Sequence, residues 1–197
     1  MSEPLSDSAL DQLFRTARTY NFYRDEPVSD AQLHAIWDVM KYGPTSANCL
    51  PARIVWCTSQ EAKEKLAALA MPANGEKIVK APVTAIIGMD LEFYENLPEL
   101  FPHTDARSWF KGNDELAKTT AFRNSSLQGA YFILAARALG LDTGPMSGFN
   151  NDAVDAAFFA DQPTVRSNFI STLGYGDPAS IFERSPRPDF VRFNRIA

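Results

Sequence analysis

Three features of this chain predict an α+β or α/β domain with few strands and several helices. Ala81 to Met89 is a nearly continuous apolar run with β-branched residues, the pattern of a central strand covered on both faces. Asp114 to Leu139 reads as one long helix, with Leu127, Ala130, Tyr131, Leu134, Ala135 and Ala138 forming a broad apolar stripe that Gly140 ends. Phe169 to Tyr175 reads as a last buried strand. With no repeat or linker among 197 residues, residues 1–197 are expected to form one domain.

The remaining elements follow in order. Ser6 or Asp7 caps a first helix running to about Arg18, with Leu10, Leu13, Phe14 and Ala17 on one face. A turn-rich loop from Tyr20 to Pro27 precedes a second helix, capped at Ser29-Asp30, where Leu33, Ile36, Trp37 and Met40 recur at helical spacing. Arg53 to Thr58 reads as a strand and Gln60 to Ala70 as a helix. Glu92 to Phe110 is aromatic-rich and irregular, broken by Pro98 and Pro102. Asp152 to Phe159 is a short helix. The tail from Glu183 to Ala197 is rich in Pro and Arg, lacks periodicity, and is expected to wrap over a neighbouring segment or a partner subunit. Small residues Ala130, Ala135, Ala136 and Ala138 on the long helix suit either an isologous dimer contact or an internal one.

Composition excludes several functions. The net charge of −5 is spread along the chain and Lys and Arg form no block, which argues against a nucleic-acid partner. No apolar run approaches the roughly 20 residues of a membrane span. The start, Met-Ser-Glu-Pro-Leu-Ser-Asp, lacks the basic and apolar regions of a leader. Cys49 and Cys57 have no metal-type spacing and read as reduced thiols of a cytoplasmic protein. With His34 and His103 the chain's two histidines, far apart in sequence, neither a zinc site nor a Ser-His-Asp triad is expected.

The most informative stretch is residues 43–54, which sets Thr45, Ser46 and Asn48 between Pro44 and Pro51. The prolines stiffen the loop, and short donor–acceptor side chains on it suit a polar ligand, although they also form turns unaided. Three further polar clusters carry cations: Arg18-Thr19-Tyr20-Asn21, Asn74 with Lys77, and Arg184 with Arg187. Brought together by the fold they would neutralise a phosphate; taken singly they are solvated surface charges.

In this order the clusters resemble the FMN-dependent nitroreductase family, over nearly the whole chain. Arg18, Thr19 and Asn21 stand for the segment that holds the flavin phosphate and ribityl chain, and Pro44-Thr45-Ser46-Ala47-Asn48-Cys49-Leu50-Pro51 for the loop that reaches the ring from a partner subunit. Asn74 and Lys77 match the Asn-x-x-Lys motif, Pro145, Met146, Ser147 and Gly148 the segment along the isoalloxazine edge, and Arg184 and Arg187 the final cation. Two positions depart from the pattern: Asn21 replaces a second basic residue, and Leu50 replaces a common Gln. The resemblance implies an α+β nitroreductase-like (FMN-dependent) fold, with a central mixed sheet flanked by helices, in an intertwined homodimer with a C-terminal extension.

It also implies FMN as cofactor and NADH or NADPH as co-substrate, with hydride carried by flavin N5 and no catalytic side chain or metal. Residues 97–110, 120–126 and 142–149 look like the malonic semialdehyde reductase subfamily, which forms 3-hydroxypropionate late in uracil breakdown. That resemblance makes Arg107 and Arg123 candidates for a substrate carboxylate, each with an ion pair to Asp105 or Glu115 as its alternative, and makes Trp109, with Phe101 and Phe110, a candidate roof. Lys77 is the candidate for stabilising charge on the reduced ring, with a phosphate contact as its alternative. A broad quinone or nitro reductase, and a flavin-binding dimer without turnover, are the rival readings.

Overall fold

The sheet has the order β1-β2-β4-β3, formed by β1 (Ala52–Cys57), β2 (Val83–Asp90), β3 (Asp142–Met146) and β4 (Val165–Gly174). The structure is a computed structural model and describes residues 3–197; Met1 and Ser2, part of the start examined for a leader, lie outside the described residues. The helices are α1 (Asp7–Leu10), α2 (Asp30–Met40), α3 (Gln60–Ala67), α4 (Pro72–Lys80), α5 (Leu97–Leu100), α6 (Asp114–Ala138), α7 (Asn151–Phe158) and α8 (Phe190–Phe193). No helix among the described residues is long and apolar enough to cross a membrane.

Strand β2 is central and buried along its whole length, as its unbroken apolar run predicts. Side chains alternate across a strand. Accordingly Val83, Ala85 and Ile87 pack with Leu33, Ile36 and Met40 of α2 and Phe132 and Ala136 of α6. Ile86 points the other way, into a cluster with Leu66 of α3, Ile78 of α4 and Val154 of α7. A third cluster, built on Phe93, Leu97, Phe110 and Ala117, fills the space under the aromatic 91–113 segment.

Four expectations are corrected. All three strand ladders are antiparallel, so a mixed sheet is not realised within one chain; among the described residues the parallel pairing is the isolated bridge Thr19–Thr143. Strand β3 was not foreseen because Gly144 and Pro145 weaken a strand pattern, and Pro is admitted here because β3 is an edge. Helix α4 was hidden by Pro72, Asn74 and Gly75; Pro72 sits in its first turn, where no N–H is needed, and Gly75 lets it approach α3. The first helix gives way after Leu10 to a π-helical turn, Asp11–Arg15.

The apolar stripe of the long helix reaches the core only in part, through Ala135 and the partly buried Tyr131, and the buried face is rotated from it. Ala121, Asn124, Ser125, Gln128 and Phe132 are buried, whereas Leu127 is 41% exposed and Ala130 and Ala138 face solvent. Small and hydrogen-bonding residues line the buried face because neighbouring groups come close to it. A Cβ added at Gly129 would lie 2.4 Å from the Phe169 ring.

Candidate functional site

Arg18, Thr19, Asn21, Arg184 and Arg187 line one cavity of about 430 Å³. The N-terminal segment and the chain after β4 are tied together to make it. Phe22 O accepts from the Asp177 N–H at 3.1 Å, and Asn21 Nδ2 donates to Ser180 O at 2.9 Å. Arg18 donates to Phe182 O, and Arg184 donates to Ala17 O at 2.9 Å. Arg187 donates to the carbonyls of its neighbours Ser185 and Pro186. The Asn21 amide thus fastens the strap with its donor end.

A fourth guanidinium that sequence reasoning missed, that of Arg137, lines the same cavity. Among the described residues none of the four arginines takes part in an ion pair, and Glu183 is the one acid on the wall. Four cations without ion pairs around a recess, in a chain of net charge −5, suit a multivalent oxyanion such as a phosphate group.

From this cavity β3 leads to the second basic cluster. The Tyr20 N–H donates to Thr143 O at 3.1 Å, beside the Thr19–Thr143 bridge. Five residues further on, about 17 Å along an extended chain, Gly148 O accepts from the Met71 N–H at 2.9 Å and from Asn74 Nδ2 at 3.1 Å. A Cβ on Gly148 would collide with Asn74 Nδ2 at 2.7 Å, so only glycine allows this contact. Pro145, Met146 and Ser147 bridge the two clusters. Lys77, one turn after Asn74 on α4, is half-buried and has no ion pair or side-chain hydrogen bond among the described residues, and it does not line the arginine cavity.

The Pro44–Pro51 loop lies apart from both, against α6 and α5. Tyr131 OH donates to Pro44 O at 2.8 Å, the Ser46 N–H donates to Asn124 Oδ1 at 2.8 Å, and Asn48 Nδ2 donates to Leu100 O at 2.9 Å. Thr45 Oγ1 accepts the Leu50 N–H at 3.2 Å, while the Ser46 side chain stays exposed. Ala47, Asn48 and Leu50 have φ of +50°, +50° and +37°, the non-glycine residues with positive φ among those described. Left-handed backbone costs about 1–2 kcal/mol per residue, so packing must hold this loop in shape. Asn124 and Gln128, also missed, do part of that. Polar residues four apart within an apolar helix were their signal.

Of the candidate carboxylate holders, Arg107 is engaged. Its Nε and Nη2 donate to Glu95 Oε2 and Oε1 at 2.6 and 2.8 Å, a two-pronged pair that holds the Glu95 carboxyl below its ordinary range. The pairing is to Glu95 rather than Asp105 or Glu115. Arg123 is exposed and makes no ion pair among the described residues. Trp109 is half exposed, its ring 6.2 Å from that of Phe101 and 6.4 Å from that of Phe110.

Residues 14–175 match the family model described as the nitroreductase family. The chain belongs to the nitroreductase family. Relatives within it include a Burkholderia lata protein provisionally named NADH dehydrogenase/NAD(P)H nitroreductase, 64% identical over 98% of both chains. A Polynucleobacter asymbioticus protein with the same provisional name is 58% identical over 100% of each. Among solved nitroreductase-family folds, one from Bacillus subtilis superposes with a TM-score of 0.88 at 22% identity, covering 98% of this chain and 100% of its own. Another, from Exiguobacterium sibiricum in complex with FMN, gives 0.85 at 18% identity over 100% of both chains. These likenesses bear out the nitroreductase-like α+β fold that the motifs implied.

Proposed function

We propose that this chain is an FMN-dependent NAD(P)H oxidoreductase whose site is completed between two copies. The observation that carries this is the recess of guanidinium groups without carboxylate partners, at one end of a line running through β3 to Asn74 and Lys77. Arg18, Thr19, Arg184 and Arg187 would hold the FMN phosphate, and residues 145–148 would run along the ring edge. Lys77, with its ammonium unpaired, would offset negative charge on the reduced ring. FMN, when bound, supplies the hydride transfer between nicotinamide and acceptor.

The homodimer reading is supported by surface that one chain leaves bare. Leu116 and Leu127 are 42% and 41% exposed on a ridge of α6 that continues through Ala130 and Leu134. In the tail, Phe182, Val191 and Ile196 are 83%, 84% and 92% exposed, and β1 leaves one edge of the sheet unpaired. Apolar surface of this extent marks an interaction face. Since the Thr45–Asn48 loop lies apart from the arginine recess of its own chain, the loop of a second copy is the one to reach the flavin.

For the acceptor, reduction of malonic semialdehyde to 3-hydroxypropionate is the reading that the subfamily motifs support. Arg123, exposed and without an ion pair among the described residues, is the candidate for its carboxylate. The names of the relatives support a broader NAD(P)H nitroreductase equally. Comparing kcat/KM for malonic semialdehyde with that for menadione separates them. A preference of a hundredfold or more for the aldehyde acid establishes the first, and the reverse preference establishes the second.

A further inference from the structure

We propose that Arg137 is a binding residue for the terminal phosphate of the bound flavin, a fourth cation pre-positioned by the long helix; this rests on the flavin reading above. Arg18 reaches the recess from the N-terminal segment, and Arg184 and Arg187 from the tail. Arg137 stands in the last turn of α6. Its position is fixed from two sides, because Gln12 Nε2 donates to Arg137 O at 2.6 Å and Arg137 Nη1 donates to Leu13 O at 2.8 Å.

A guanidinium has five N–H donors. Here Nη1 is satisfied by a carbonyl, while Nε is buried and has no hydrogen-bond partner among the described residues. Leaving a buried donor of a charged group unpaired is costly, and an anion meeting Nη2, which has no hydrogen bond among the described residues, would offset the burial of that charge. The nearby carboxylate of Asp142 does not serve, since it makes no ion pair with Arg137 and instead accepts the Gly176 N–H at 3.0 Å. Burial works against the Arg137 cation, the charge of Asp142 offsets only part of that, and the charge of Arg184 adds to it. A phosphate in the recess would reverse that balance. The same contact could not assist riboflavin, which lacks the phosphate, so it would also give the site its preference for FMN.

The test titrates flavin-free protein with FMN and with riboflavin, following the quenching of flavin fluorescence, for wild type and for Arg137→Gln. The assignment expects the FMN Kd to rise by about tenfold or more, the loss of one charge-assisted contact, while the riboflavin Kd stays within about twofold. Arg137→Lys, which keeps the charge and loses the fork, should fall between the two. Equal weakening of both flavins, as a purely structural role behind Leu13 and Asp142 would give, overturns the assignment, and so does an unchanged FMN Kd. A wild-type protein that takes up neither flavin overturns the flavin reading instead. What then stands of the Arg137 assignment, a phosphate contact in the recess, is decided by inorganic pyrophosphate: it is supported if pyrophosphate raises the melting temperature of wild type and not of Arg137→Gln, and overturned otherwise.

Discussion

Asn124 and Gln128 stand one turn apart on α6, and their side-chain oxygens accept the N–H groups of Ser46 and Ala52, each at 2.8 Å. Both side chains are fully or almost fully buried. The helix thereby grips the two ends of a loop whose middle residues hold left-handed backbone. Loop shape is thus set by α6 together with the loop's own Thr45, whose Oγ1 accepts the Leu50 N–H.

Asn124→Ala or Gln128→Ala should each destabilise the protein by about 1–3 kcal/mol, the cost of an orphaned buried N–H. Urea unfolding measures this, and the double variant should lose less than the sum because both act on one loop. A loss under a few tenths for each would show that the loop holds itself.

Gly43→Ala should be damaging at a position where substitution looks harmless in sequence. An added Cβ would fall 2.1 Å from the Tyr131 ring, whose hydroxyl in turn holds Pro44 O. Overpacking of this kind costs about 1–3 kcal/mol. Thermal melting of Gly43→Ala alone and combined with Tyr131→Ala checks it, since removing the ring should recover part of the steric loss.

Cys49 and Cys57 are buried, and burial pushes each thiol up to about 11. Thiolate is the reactive form, so both should stay protonated from pH 7 to 9. Alkylation of the folded protein by iodoacetamide should be slow and nearly flat over that range, whereas in denaturant both should react and accelerate through the ordinary thiol pKa near 8.5. Rapid labelling of either in the folded state would contradict this burial.

Arg107→Ala should change kcat/KM for malonic semialdehyde and for menadione by the same small factor, because its fork is already filled by Glu95. Arg123→Ala should raise KM for the aldehyde acid by about tenfold or more and spare the quinone, the expected loss of one charged contact. Steady-state kinetics on both acceptors decides between the two arginines.

Leu127→Glu, on the exposed ridge of α6, should split the dimer and release flavin together. Sedimentation velocity and retained absorbance after gel filtration read the two losses. A monomer that keeps its flavin would contradict a site shared between copies.

Much of this architecture was legible because its signals are local. The apolar run of β2, the cap at Ser29 and the Gly140 stop each act over a few residues. Arg18 and Arg184, far apart in sequence, were paired through a family motif and do line one recess. Arg137, Asn124 and Gln128 were not found. Their roles depend on which face of α6 is buried, and the apolar stripe lies on a neighbouring face, of which Ala135 is buried while Leu127, Ala130 and Ala138 are exposed. Strand β3 and helix α4 escaped for another reason: Pro145 and Gly75 are unfavourable locally and are tolerated because a sheet edge and a close helix contact accept them.

The most direct measurement is an anaerobic NADH and NADPH titration of the purified protein after incubation with FMN, followed in the visible flavin bands. The account predicts a yellow protein holding about one FMN per chain, bleached by at least one of the two nucleotides and recoloured on adding an acceptor. A protein that stays colourless with excess FMN, or whose colour neither nucleotide bleaches, would contradict it.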